Sequence, residues 1–217
     1  QRRYPDYGRM VWINNYNRLA CRTMFTLFFA GDKYAPHVKI GGASAQSFLQ
    51  TAFINAIAQI AHRIKDMPHV LGYGAMNEPS GGFLGLDSLE TIGGIPHQSF
   101  VLTPAESIFI GSGFTRKLQK IEMQGFFAIP VEGEVIVNPM GISAWKTPEH
   151  DIWRKVGIYN IDKHGNPYIT RDFYFKGVTF LEDGLLPFMQ NFITKIRSIH
   201  SGAILFVETE PTDVHQL

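Results

Sequence analysis

The chain holds a single cysteine, Cys21, so no internal disulfide can form. This suits a reducing compartment and leans toward the cell interior over secretion. No run of 18 apolar residues exists, because Gly, Asp or Lys interrupts every apolar stretch, which excludes a membrane-spanning helix of ordinary length. Charge of either sign is not in excess: 20 Lys and Arg face 19 Asp and Glu, a net +1 that gives no general attraction to nucleic acid. Repeats and low-complexity tracts are absent too. The chain opens Gln-Arg-Arg-Tyr-Pro, without an initiator Met or a signal pattern. That start is expected of a processed chain or of a piece of something longer.

What is present is a core. Hydrophobic residues make up 45% of the 217 and charged residues 18%, enough for a folded domain and too apolar for long disorder. The 21 glycines and 12 prolines, with 13% aromatics, suit an enzyme with long structured loops better than a helical bundle.

Two α/β steps stand out. Leu49, Phe53, Ile57, Ile60 and Ile64 recur at helical spacing from Ala45 to Lys65, after Ser44 as N-cap. Pro68 ends the segment, and His69 to Met76 reads as a short buried strand running into Asn77-Glu78-Pro79. The second step has Leu185, Met189, Phe192, Ile196 and Ile199 in a helix between Asp183 and His200, with Pro187 in its first turn. Gly202 is expected as its left-handed stop. Ala203 to Val207 then reads as a strand apolar on both faces, ending in Glu208-Thr209-Glu210-Pro211.

Other segments are less regular. Asn17 to Gly31 fits a buried helix, and its Thr and Phe content also suits a strand. From Ser80 to Thr179 the chain reads as decorated loops, with strand pieces at Phe126–Val131 and Glu134–Val137. A helix start at Thr103-Pro104 and a turn at Asp162–Pro167 complete that region.

Chemistry gathers at the two strand ends. Ligand sites in parallel α/β folds form at the C-terminal ends of strands. Two carboxylates there can divide glycoside hydrolysis, one protonating the leaving oxygen and the other attacking the sugar carbon. Asn77 is placed to hydrogen-bond a sugar 2-hydroxyl. Plainer roles compete: a lone Asn-Glu-Pro is usually a surface turn, and Glu208 or Glu210 can be a solvated strand exit. The eight histidines show no metal-ligand spacing. Gly111-Ser112-Gly113 lacks the Gly-x-Ser-x-Gly frame of a nucleophile elbow. Neither Gly41-Gly42 nor Gly81-Gly82 has the context of a phosphate cradle. Cys21 lies in an apolar segment and is expected to be inert.

The order of motifs resembles the glycosylceramidase and sterylglucosidase branch of glycoside hydrolase family 5. The segments that carry it are Thr23 to Pro36 and Gly72 to Gly85, with Trp12 and Asn15-Tyr16 upstream. Gln46, Leu49-Gln50, Thr103-Pro104, Gly111 to Gly113, Trp153, Gly157 to Tyr159 and Asp172 to Phe175 continue the match in register. It is collinear from about residue 8 to 211 and specific through order and spacing, not through any one motif.

The resemblance implies a (β/α)8 TIM barrel, present here as a partial catalytic domain of about strands four to seven. It also implies a retaining β-glycosidase acting on glucosylceramide or a steryl glucoside by double displacement, with no metal or organic cofactor. Glu78 matches the family's acid/base on the fourth strand and Asn77 its sugar-binding neighbour. Glu208 matches the nucleophile on the seventh strand, and Glu210, which Pro follows directly, competes for that role. A glycolipid substrate brings contact with a membrane surface; nucleic acid is not an implied partner. The first three strands and the eighth are missing. A barrel closes only with all its strands, so the remainder belongs to another chain or to residues outside this sequence, or the piece does not fold alone. The aromatics of Phe25–Tyr34 and Phe83–Leu86 would line a lipid groove or pack a core. Two rivals remain, an endo-β-glucanase of the same family and a non-catalytic carbohydrate- or lipid-binding remnant.

Overall fold

Ser44 starts the long helix as its chemistry requires. It is extended (φ −63°, ψ 151°), and its hydroxyl accepts from the Ser47 amide at 3.2 Å. The computed structural model describes residues 12–91, 96–97, 99–124 and 127–208. In chain order they form a 3-10 turn at Trp12–Asn17, α1 (Leu19–Tyr34), β1 (Lys39–Ile40), β2 (Ala43–Ser44), α2 (Ala45–Ile64) and β3 (Gly72–Gly74). Next come α3 (Pro104–Gly111), β4 (Arg116–Gln124), β5 (Phe127–Val137), α4 (Ile152–Lys155), β6 (Tyr159–Ile161) and β7 (Pro167–Ile169). A π-helical turn at Phe180–Leu185, α5 (Leu186–Arg197) and β8 (Ile204–Phe206) close the sequence of elements. They fall into two compact units. A hairpin unit takes the described residues of Gln1–Thr23 and Leu86–Lys176, and a strand-pair unit those of Met24–Gly85 and Gly177–Leu217.

In the strand-pair unit an aromatic cluster holds the helices. The Phe188 ring meets Phe28 at 5.0 Å and Phe29 and Phe53 at 5.8 Å, all edge-to-face. Such contacts add to the burial energy of large apolar side chains. Helix α5 buries Phe188, Met189, Phe192 and Ile196, the spacing its sequence predicts. It stops at Arg197 with Ser198 as cap, and Gly202 is not left-handed, so the expected glycine stop is not used.

Helix α2 is rotated from its expected face. Ala45, Gln50, Ile54, Ala58 and Ala61 are buried, while Ile60 is 50% exposed. Small alanines let the helix sit close, and Gln50 earns its burial by donating to the Phe28 carbonyl at 2.7 Å. The ambiguous Asn17–Gly31 segment is helical and runs on to Tyr34, with a break in its backbone at Ala30 (φ −147°, ψ 29°).

Strands β3 and β8 pair in parallel, with Gly72 opposite Ile204, Tyr73 opposite Leu205 and Gly74 opposite Phe206. A side chain at Gly72 would place its Cβ on the Ile204 carbonyl, so only glycine allows this approach. The pairing corrects the expected placement. In a (β/α)8 barrel each strand hydrogen-bonds the strands next to it in sequence, so β3 and β8 are successive strands and cannot be the fourth and the seventh. The expected span of strands four to seven shrinks to one adjacent pair, and no closed barrel exists among the described residues. Nor is β8 covered on both faces: Ile204 and Phe206 are about half exposed.

The hairpin unit is richer in structure than its sequence suggests. Strands β4 and β5 form one long antiparallel hairpin with a bulge between Gln119 and Ile121, absorbing both expected strand pieces. Leu118 and Val137 pack with Phe100 and Leu102 on one side of it. The expected start of α3 holds: Thr103 Oγ1 accepts from the Glu106 amide at 3.0 Å, with Pro104 in the first turn. The Asp162–Pro167 turn joins β6 to β7, and Asp162 Oδ1 accepts from the His164 and Asn166 amides, both at 2.8 Å. Those amides hold its carboxyl below the usual range.

Candidate active site

The register of β3 and β8 brings their exits out side by side. Ala75 N–H still reaches the Phe206 carbonyl at 3.3 Å. Beyond it, β3 leads to Asn77 and Glu78, and β8 leads to Val207 and Glu208. Glu208 Oε2 accepts from the Glu78 backbone N–H at 3.0 Å. The Glu208 carboxylate therefore meets the Glu78 backbone, 130 residues away in sequence, at one end of the parallel pair. Asn77 and Glu208 are exposed and Glu78 is half-buried, so the group of three faces solvent.

Glu78 has an unusual backbone. Its φ is +47°, in the left-handed region that few side chains adopt. Buried Pro79 follows and favours extended backbone in the residue before it. Glu78 is held against both preferences, and such residues cluster where a side chain must point in one direction. Below it, buried Tyr73 of β3 pairs its hydroxyl with His200 Nδ1 at 3.0 Å, tying the strand to the turn that enters β8.

The aromatic segments are core rather than groove. Phe28, Phe29, Phe83 and Leu84 are all buried. Thr26 Oγ1 accepts from the Phe83 amide at 2.9 Å and fixes the loop after Glu78. Glu210 lies outside the described residues. Cys21 is half-buried, and its thiol is pushed up by burial against the opposing charge of Arg22, which keeps it in the unreactive protonated form. Among the described residues no three His, Cys, Asp or Glu side chains group as a metal site. No helix among them is long and apolar enough to cross a membrane.

A second polar centre, in the hairpin unit, was missed in the sequence. Asp151 is 2% exposed. Its Oδ1 accepts from the Trp153 and Arg154 amides, both at 3.1 Å. Its Oδ2 accepts from the Ser112 hydroxyl at 2.9 Å and from the Tyr159 hydroxyl. Ser112 in turn accepts from the Trp145 indole at 3.1 Å. Burial, and then the Asp151 contact, push the Tyr159 hydroxyl well above its ordinary range. A cavity of about 250 Å³ opens beside these residues, with Lys146 and Arg154 on its wall. The Asp151 carboxylate is fully occupied, so its work is structural: it caps α4 and ties three segments together. Ser112, set aside as a nucleophile, is part of that tie. The one signal in the sequence is Asp151 standing directly before Ile152-Trp153, a helix cap easily read as a loop residue.

Comparison with known proteins shows what the chain is similar to. The chain is 33% identical over 208 residues to a glucosylceramidase of Rhizopus delemar, covering 92% of this chain and 30% of that protein. It is 27% identical over 235 residues to the ergosteryl-beta-glucosidase of Saccharomyces cerevisiae, covering 94% and 31%. The crystal structure of Cryptococcus neoformans sterylglucosidase 1 with tris superposes with a TM-score of 0.82 at 26% identity, covering 94% of this chain and 33% of that one. The chain is similar to one part of each of these proteins. It spans about a third of the length of these relatives. No protein-family profile matches it. The named homologues are glycoside hydrolases, as the order of motifs implied.

Proposed function

We propose that the protein carrying this chain is a β-glucosidase of glycolipids, with glucosylceramide or a steryl glucoside as substrate, working by double displacement. The observation that carries the reading is Glu78, held in left-handed backbone at the exit of a parallel strand with Asn77 exposed beside it. The names of the homologues point to the two substrate classes.

Glu78 is the acid/base. Its carboxyl gives a proton to the glycosidic oxygen as the bond from that oxygen to the anomeric carbon breaks. A second carboxylate attacks the anomeric carbon and forms a glycosyl ester. Glu78, now ionised, takes a proton from water, and that water displaces the ester with net retention. Asn77, exposed beside Glu78, donates to the sugar 2-hydroxyl, a contact that strengthens in the oxocarbenium-like transition state. No step calls on a metal or an organic cofactor.

Replacing Glu78 by Gln in the full-length protein should lower kcat on a glycolipid by about 10²- to 10⁴-fold, the usual contribution of a positioned acid/base. Unchanged turnover would remove Glu78 from the mechanism. Assays on glucosylceramide, a steryl glucoside and a soluble β-glucan set the substrate class. Hydrolysis of the β-glucan alone would point to an endo-glucanase.

A further inference from the structure

We propose that Glu208 is a positioning residue for Glu78 and not the attacking carboxylate, an inference that rests on the glycosidase reading above. Three observations lead to it. First, β3 and β8 are hydrogen-bonded neighbours, so Glu208 stands on the strand that follows that of Glu78 and not on the seventh. The nucleophile role came with the seventh-strand match, and the register withdraws that match. Second, Glu208 Oε2 is already engaged with the Glu78 N–H at 3.0 Å. An oxygen that accepts from the acid's own backbone lies on the acid's side, and the hydrogen bond draws electron density from it. Third, Glu78 needs holding. Its φ of +47° before a proline is a conformation that relaxes toward extended backbone when unsupported. Relaxation would swing the acid away from the leaving oxygen. A carboxylate accepting from that N–H is a charge-assisted brace at the right atom. The chain spans about a third of its relatives, so the attacking carboxylate has ample remaining length from which to come.

The test uses the full-length protein and three variants. Glutamine at 208 keeps an oxygen that accepts the Glu78 N–H, and alanine does not. Glu208→Gln should stay within about 3-fold of the parent in kcat, and Glu208→Ala should fall about 10- to 100-fold, the range for losing one hydrogen bond to a charged group. Azide should not restore Glu208→Ala. A 2-deoxy-2-fluoroglucoside should label a carboxylate other than Glu208. Azide rescue of Glu208→Ala with an α-glucosyl azide product, or a labelled Glu208, would overturn the proposal and return Glu208 to the nucleophile role. A structural readout stands apart from turnover. In crystal structures Glu78 should leave φ +47° in Glu208→Ala and keep it in Glu208→Gln, and an unmoved Glu78 in the alanine variant also overturns the brace. Glu78→Gln is the control that separates the two claims. If the parent cleaves no β-glucoside and Glu78→Gln changes nothing, the glycosidase reading fails, while the Glu78 backbone still reports on the brace.

Discussion

The two units of this chain solve the problem of burial in opposite ways. The strand-pair unit has an aromatic core behind its helices, yet its strand β8 is half uncovered, with Ile204 and Phe206 near half exposure. The hairpin unit builds its sheets from local antiparallel pairs and completes its own polar centre around Asp151. Parallel strands need further strands on either side and helices over their faces; hairpins need only a turn. The candidate chemistry sits in the unit whose strand β8 is half uncovered. An exit between neighbouring parallel strands is where a substrate can reach side chains from several strands at once. The hairpin unit spends its buried carboxylate on holding loops together.

If the contrast is right, a cavity in the aromatic cluster should damage one unit selectively. Phe188 is fully buried and packs edge-to-face against the rings of Phe28, Phe29 and Phe53. Phe188→Ala should cost about 3–5 kcal/mol. Hydrogen exchange should quicken across residues 24–85 and 177–208 more than across 99–124 and 127–176. Equal quickening everywhere would mean that the two units unfold as one, and the contrast would be only descriptive.

The legible parts of this protein were those governed by local chemistry. Ser44 and Thr103 are side-chain caps that act within three residues, and the Asp162 turn closes on itself, so each was visible in a short window. Glu78 and Glu208 were visible because each follows a short apolar run. Their relation was not. Which strand neighbours which is set by pairing across 130 residues, and no local spacing encodes it, so Glu208 was given the wrong strand. The brace on Glu78 was hidden for the same reason: a left-handed glutamate before proline has no signature in sequence. The rotated face of α2 reflects a different limit. Alanine and isoleucine weigh alike in a periodicity count, and the packed face runs through Ala45, Gln50, Ile54, Ala58 and Ala61. Asp151 escaped because buried acids are scarce, and its partner Ser112 lies 39 residues away in sequence.

The reverse experiment breaks the hairpin unit. Asp151→Ala leaves the Ser112 and Tyr159 hydroxyls and two α4 amides without their acceptor inside a buried site. The loss should be about 2–3 kcal/mol, the cost of unsatisfied buried donors together with a lost cap. Exchange should now quicken across 99–124 and 127–176, leaving the Phe188 cluster protected. A variant as stable as the parent would show that the network adds nothing beyond packing.

The smallest expected effect is a pH response confined to the hairpin unit. His97 is 4% exposed, its ring lies stacked on Phe100 at 4.7 Å, and Nε2 has no partner among the described residues. Burial, and then the charge of Arg18, lower its pKa from the ordinary 6.5 to about 4. The folded value lies below the unfolded one, so as pH falls the unfolded chain takes up the proton first. The stability held by the neutral ring is therefore complete above pH 6.5 and drains away between 6.5 and about 4. Screening and relaxation reduce the full linkage value, leaving about 1–2 kcal/mol over that window. His97→Leu removes the titrating ring, so the difference in unfolding free energy between parent and variant should shrink by that amount from pH 7 to pH 4.5. Exchange should report the change in residues 99–124 and not around Phe188. A difference that stays constant across the window would show that His97 gives up no stability on acidification and that the acid response of this unit lies with its carboxylates.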